Sequence, residues 1–149
     1  MSPNQKLFIV IVGCGRLGSY LANRLSSEGH SIVIVDINES AFDALSAEYS
    51  GFRVEGDATE LAVLKQAKID KADLVIAATR EDNINLMVAQ VAKKLFRVPR
   101  VMARVFETKR EKIYRDFGIE TICPTLIAGD VLLESLMKLS VITEKGGRQ

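Results

Sequence analysis

Residues 8–18 read Phe-Ile-Val-Ile-Val-Gly-Cys-Gly-Arg-Leu-Gly, and no other stretch restricts the fold of this chain as much. Five strand-forming residues break into G-x-G-x-x-G, and a second β-branched run, Val33-Ile34-Val35, ends on Asp36. Strand, glycine loop, amphipathic helix, strand and acid follow the order of the dinucleotide-binding fingerprint. The three glycines differ in what they permit. Gly13 turns the chain, Gly15 admits a phosphate to the backbone, and Gly18 lets the helix lie close on the sheet. The helix opening near Arg16 aims unpaired N–H groups at that anion. Asp36, at the end of the second strand, is placed to accept from both ribose hydroxyls. A purely structural glycine turn is the alternative, and the ordered series of elements weighs against it.

Helical and strand-like segments alternate along all 149 residues, which predicts a doubly wound parallel sheet covered on both faces. Six strands are expected near 7–12, 31–35, 52–55, 73–77, 100–105 and 120–122. Leu17, Leu21 and Leu25 stripe the first helix, and Ile84, Met87, Val88, Val91, Ala92 and Leu95 stripe a later one. Shorter helices fit near 40–48, 60–67 and 108–116. Right-handed crossovers then give the Rossmann-like strand order, with its switch point beside the glycine loop. The ends, Met1 to Gln5 and Lys145 to Gln149, look loose.

An apolar fraction of 48% suffices for one core, and twenty basic against nineteen acidic residues leave no footprint for nucleic acid. No stretch approaches the roughly 20 apolar residues of a membrane span, and no signal-peptide pattern precedes the first strand. A cytoplasmic location is expected. Cys14 and Cys123 are too few and too far apart for a disulfide framework or a zinc site, and read as small buried residues.

The last helix carries more apolar surface than a surface helix needs. From Leu126 to Leu139, Asp130, Glu134 and Lys138 form one narrow stripe, while Leu126, Leu132, Leu133, Leu136, Met137 and Leu139 occupy about half the circumference opposite. A second partner, such as another copy of the chain, or deep burial of a terminal helix would account for it.

Three further segments fall at C-terminal strand ends, where open α/β sheets bind ligands. They are Gly56-Asp57-Ala58-Thr59, Ala77-Ala78-Thr79-Arg80 and Ala103-Arg104-Val105. Asp57 either recognises an adenine amino group or caps the following helix. Thr79 either donates to a ribose or phosphate or caps the helix near Glu81. Arg16 is a cation at a helix start, an unfavourable place unless an anion sits against it. Arg104 has a simpler reading as a partner of Asp57 or Glu107. Nothing suggests catalysis: the only histidine, His30, precedes the second strand, on the far side from the glycine loop, and no substrate lobe follows the nucleotide domain.

Gly13-Cys14-Gly15-Arg16-Leu17-Gly18, Val35-Asp36, Gly56-Asp57-Ala58-Thr59, Ala78-Thr79 with Asn85, and Phe117-Gly118-Ile119 ahead of Pro124 resemble the TrkA-N family, also called KTN or RCK N-lobe domains. The likeness runs from about Leu7 to Leu139. It implies a non-enzymatic domain over residues 1–140, with 141–149 as a tail, that binds NAD(H) or an adenine nucleotide (ATP, ADP or AMP) and regulates a potassium channel or transporter from the cytoplasmic face of the membrane. It further implies that Asp36 holds the ribose, that Arg16 and the loop Gly13, Cys14, Gly15, Leu17 and Gly18 hold phosphate, and that Gly56, Asp57 and Ala58 meet the adenine. Ala78, Thr79 and Arg104 would line the rest. Relatives pair through a crossover helix after the sixth strand, implying a dimer or ring of dimers. The second small lobe of many relatives is missing, as in a short form or a truncated chain, and Thr125 stands where some relatives place a metal-binding acid. NADP is disfavoured, because its 2′-phosphate would meet Asp36. A small NAD-dependent oxidoreductase without its substrate domain is the competing expectation.

Overall fold

The computed structural model describes residues 3–146, with side chains described for residues 3–138. One parallel sheet runs in the order β3-β2-β1-β4-β5-β6, from β1 (Phe8–Val12), β2 (Ser31–Asp36), β3 (Phe52–Glu55), β4 (Leu74–Ala77), β5 (Arg100–Arg104) and β6 (Glu120–Ile122). The order reverses between β1 and β4, which opens a crevice at their carboxyl ends.

The continuous apolar runs of β1 and β2 follow from burial on both faces. Val10, Val12, Val33 and Val35 join one core layer, and Ile9, Ile11, Ile32 and Ile34 join the other. Helix α1 (Arg16–Ser27) lays Ala22 on the isoleucine layer, while α2 (Leu61–Gln66) and α3 (Asp82–Gln90) cover the valine layer with Val63, Leu64, Val88 and Ala89. Fully burying one such aliphatic side chain contributes about 1.5–3 kcal/mol, so these two layers carry the fold.

Every expected strand is present. The helix expected over 40–48 is instead a 3-10 turn, Glu39–Ala44, because the Asn23 side chain stops it, accepting from Ser46 N–H at 2.9 Å and donating to the Ala44 carbonyl at 3.3 Å. The segment near 108–116 divides into a 3-10 turn, Thr108–Arg110, and α4 (Glu111–Asp116). Helix α3 continues as a π-helical turn, Val91–Leu95.

The final helix, α5 (Pro124–Gly146), is longer than its sequence pattern suggested. Proline suits its first turn, since no intrahelical bond needs that N–H. All described side chains from Thr125 to Lys138 are exposed except Gly129, so deep burial of this helix is not what the fold adopts. The side chain of Leu139 lies outside the described residues, as do Met1, Ser2 and residues 147–149.

Candidate functional site

A cavity of about 980 Å³ occupies the carboxyl-end crevice, lined from every strand end between β3 and β5. Gly13, Cys14, Gly15, Arg16, Asp36, Gly56, Asp57, Ala58, Ala78, Thr79 and Arg104 all line it. Leu17 and Gly18 do not. Gly18 is buried, and a Cβ there would lie 1.7 Å from the Gly13 carbonyl oxygen, so this glycine serves helix packing. Gly13 has φ +105°, and a Cβ on it would press to 2.8 Å from the Ala78 backbone. A Cβ on Gly15 would meet nothing within 4 Å, which leaves room for a group to approach the chain.

Asp36 has a structural duty that its sequence position did not disclose. Its Oδ2 accepts the Cys14 N–H at 2.8 Å and its Oδ1 accepts the Asn38 N–H at 2.9 Å. Each carboxylate oxygen can accept a second bond, so Asp36 can fix the loop and still receive ribose hydroxyls. The Cys14 thiol donates to the Ala41 carbonyl at 3.3 Å, and burial, with the Asp36 charge adding, pushes its pKa up to about 11. It is an inert filler of the loop.

Asp57 does not cap α2, whose N-cap is Glu60. Its Oδ1 accepts the Thr59 hydroxyl at 2.7 Å and the Thr59 N–H at 2.8 Å, and these bonds hold its carboxyl below the usual range. The Thr79 hydroxyl is also engaged inside the fold, donating to Asn85 Oδ1 at 2.6 Å. It therefore lines the cleft without a proton to spare for a ligand.

Asn85 and Asp82 organise the β4–β5 side, and neither was among the site residues expected from sequence. Asn85 is fully buried; its Oδ1 also accepts the Thr79 N–H, and its Nδ2 donates to the carbonyls of Thr79 and Arg104, both at 3.0 Å. Asp82 accepts the N–H groups of Phe106 at 2.8 Å and Glu107 at 3.0 Å, while Tyr114 donates its hydroxyl to the Asp82 carbonyl. A buried polar residue at the start of a helix, facing two strand ends, was the signal available. Ile37, Asn38, Ser40, Ala41 and Ala44 on one wall, and Arg80, Glu81, Ile84 and Phe106 on the other, complete the lining.

Arg104 is not the ion-pair partner of Asp57 or Glu107. Glu107 lies 3.3 Å from Arg110, and the Arg104 guanidinium instead sits 4.3 Å over the Phe106 ring. Its Nε is buried without a hydrogen-bond partner among the described residues. Helix α1 opens on Gly15 with no side-chain cap and no acid in its first turn, so its N-terminal dipole and Arg16 both favour an anion. These groups fit a phosphorylated ligand.

His30 is at the opposite edge, where its Nδ1 accepts the Leu7 N–H at 3.0 Å. Among the described residues no group of three histidine, cysteine or acidic side chains could hold a metal ion, and no helix is long and apolar enough to cross a membrane.

The TrkA-N domain pattern matches residues 9–124. Among curated proteins, the Trk system potassium uptake protein TrkA of Streptomyces coelicolor is 34% identical over 131 residues, 88% of this chain and 59% of that protein. The chain thus spans little more than half the length of that relative. Among solved structures, the Kef C-terminal domain of Shewanella denitrificans in its AMP-bound form superposes with TM-score 0.77 at 23% identity, over 94% of this chain and 88% of that one. The GsuK channel superposes with TM-score 0.66 at 22% identity both bound to NAD, over 83% of this chain and 22% of that one, and bound to ADP, over 82% and 32%.

Proposed function

The chain belongs to the TrkA-N family, and from that premise we propose that it is a nucleotide-binding regulatory unit of a potassium channel or transporter. The observation that carries this reading is the β1–α1 junction: a glycine loop pinned by Asp36, open at Gly15, and leading into an uncapped helix N-terminus. Adenosine would lie over the β2 and β3 ends, its ribose on Asp36 and its base beside Asp57 and Ala58. The phosphate would lie on the loop amides and Arg16. NAD(H), ATP, ADP and AMP share that half, and relatives in fold have been solved with AMP, ADP and NAD.

Regulation requires that the ligand favour one arrangement of an assembly over another, because equal affinity for both shifts nothing. The exposed apolar face of α5 supplies the means of assembly, pairing two copies into a dimer or a ring of dimers beneath the membrane partner, at the cytoplasmic face.

Calorimetry tests the site. Asp36→Ala is expected to weaken adenine-nucleotide binding by about 1.5–3 kcal/mol, the range of a charged hydrogen bond, and unchanged affinity would remove Asp36 from the contact. A turnover assay with reduced nicotinamide cofactor and a panel of carbonyl compounds tests the role. Sustained hydride transfer would replace regulation with oxidoreductase chemistry.

A further inference from the structure

Helices α1, α2, α3 with its π-helical turn, and α4 all end at the amino-terminal rim of the sheet, opposite the cleft. Each is followed there by a residue in the left-handed region: Gly29 (φ +91°), Lys68 (+59°), Arg97 (+53°) and Gly118 (+75°). Glycine is the default at such caps, because a Cβ is costly in that conformation. Two of these caps are cations instead. A helix dipole favours a cation in the last turn, where Lys65 stands, but that gain is smaller than the cost of a left-handed Cβ.

Further cations stand beside them. Lys71 ends the 3-10 turn Ile69–Lys71 ahead of β4, and Lys94 is on the π-helical turn ahead of β5. Lys65, Lys68, Lys71, Lys94 and Arg97 are all exposed and make no ion pair among the described residues. They share one rim, since Ile69 and Val98, which directly follow Lys68 and Arg97, are buried in the same core layer. Most acids of the rim are engaged. Asp73 accepts the Phe8 N–H at 2.8 Å, Arg100 holds Glu120 at 2.7 Å, and Arg24 holds Glu28 at 3.0 Å, which leaves Asp70 and Asp116 without a partner among the described residues. The rim is therefore basic on a chain whose net charge is only +1. Apolar side chains stand among the cations: Leu95, between Lys94 and Arg97, is 59% exposed, and Phe117, ahead of the Gly118 cap, is 41% exposed. A Cβ on Gly118 would lie 3.7 Å from the Lys93 side chain, so the ends of α3 and α4 adjoin.

We propose that this rim docks on a membrane surface of anionic phospholipid, with Lys65, Lys68, Lys71, Lys94 and Arg97 among the headgroups and Leu95 at the acyl boundary. Nucleic-acid phosphates would meet the cations equally well but give an aliphatic side chain nothing to enter. A bilayer offers both. The cleft, at the other ends of the strands, then faces away from the lipid and stays open to its ligand.

Co-sedimentation of the full chain with vesicles decides it. Phosphatidylcholine vesicles containing about one-third phosphatidylglycerol should carry the chain down, and pure phosphatidylcholine should not. Raising the salt from about 0.1 M to about 0.5 M should release it, because screening weakens such contacts. Lys68→Gly and Arg97→Gly each remove a cation while relaxing the backbone, so each should weaken vesicle binding about fivefold with an unchanged or higher melting temperature. Lys94→Ala should weaken it by a similar factor and reports even if a glycine variant does not fold. Lys109→Ala, which removes an exposed cation beyond the carboxyl end of β5, should leave binding unchanged. Equal binding to neutral and anionic vesicles, no binding to either, undiminished binding in all three rim variants, or a loss as large in Lys109→Ala would each overturn the proposal. Binding to duplex DNA as tight as to the anionic vesicles would also overturn it, in favour of a general polyanion surface. None of these outcomes bears on nucleotide binding in the cleft.

Discussion

Ile34 in β2 and Leu132 in α5 are aliphatic residues in apolar runs, yet the first is wholly buried and the second is 65% exposed. Strands β1, β2 and β4 meet helices on both faces, so their apolar content is covered within the chain. Helix α5 leaves the sheet after β6 and carries Ile127, Val131, Leu132, Leu133, Leu136 and Met137 into the open. Apolar surface on this scale is the kind that contacts between proteins cover. The core holds the chain together, while α5 adds apolar surface that the rest of the chain does not cover.

The largest effect should separate the two regions by stability. Ile34→Ala is expected to cost about 2–5 kcal/mol in urea unfolding, as large-to-small core changes do. Leu132→Ala, in dilute solution, should stay within about 0.5 kcal/mol, as surface changes do. Equal losses would mean that α5 folds back onto the body. Next, Leu136→Asp should reduce the assembly to monomers in a sedimentation experiment without lowering the urea midpoint of the dilute chain, and an unaltered profile would reject the interface. The smallest effect lies inside the buried region. Cys14 keeps its proton to about pH 11 in the fold, against 9.0 for an ordinary thiol. Its contribution to stability is therefore present below pH 9 and lost as pH rises from 9 toward 11. Melting temperature should fall more steeply across that window in the unaltered chain than in Cys14→Ala; parallel curves would show a thiol as solvated as one on α5.

The sheet was legible because hydrophobic alternation and glycine punctuation are local signals. The strand bounds at 52–55 and 120–122 match those expected, and so does the strand order. The cleft was legible wherever a residue stands at a strand end, as Asp36, Asp57 and Arg104 do. What the sequence did not disclose is how each polar group is satisfied, since partners come from distant segments. Asn85 reaches Arg104 across 19 positions, and Asp82 reaches Phe106 across 24. Thr79 could therefore be read either as serving a ligand or as capping the helix near Glu81, and Arg104 as the partner of an acid. The length of α5 was hidden for another reason: its apolar pattern blurs beyond Leu139, while the backbone stays helical to Gly146.

Helix α5 is also a lever. Its 23 residues, at about 1.5 Å per residue, make an arm of about 34 Å, so a rotation of about 10° at Pro124 sweeps the far end through about 6 Å. Helix α4, tied to the cleft wall by the Tyr114 hydroxyl, directly precedes the short strand from which that arm springs. A displacement too small to disturb the packing of the sheet would, at the end of such an arm, grow to several ångströms.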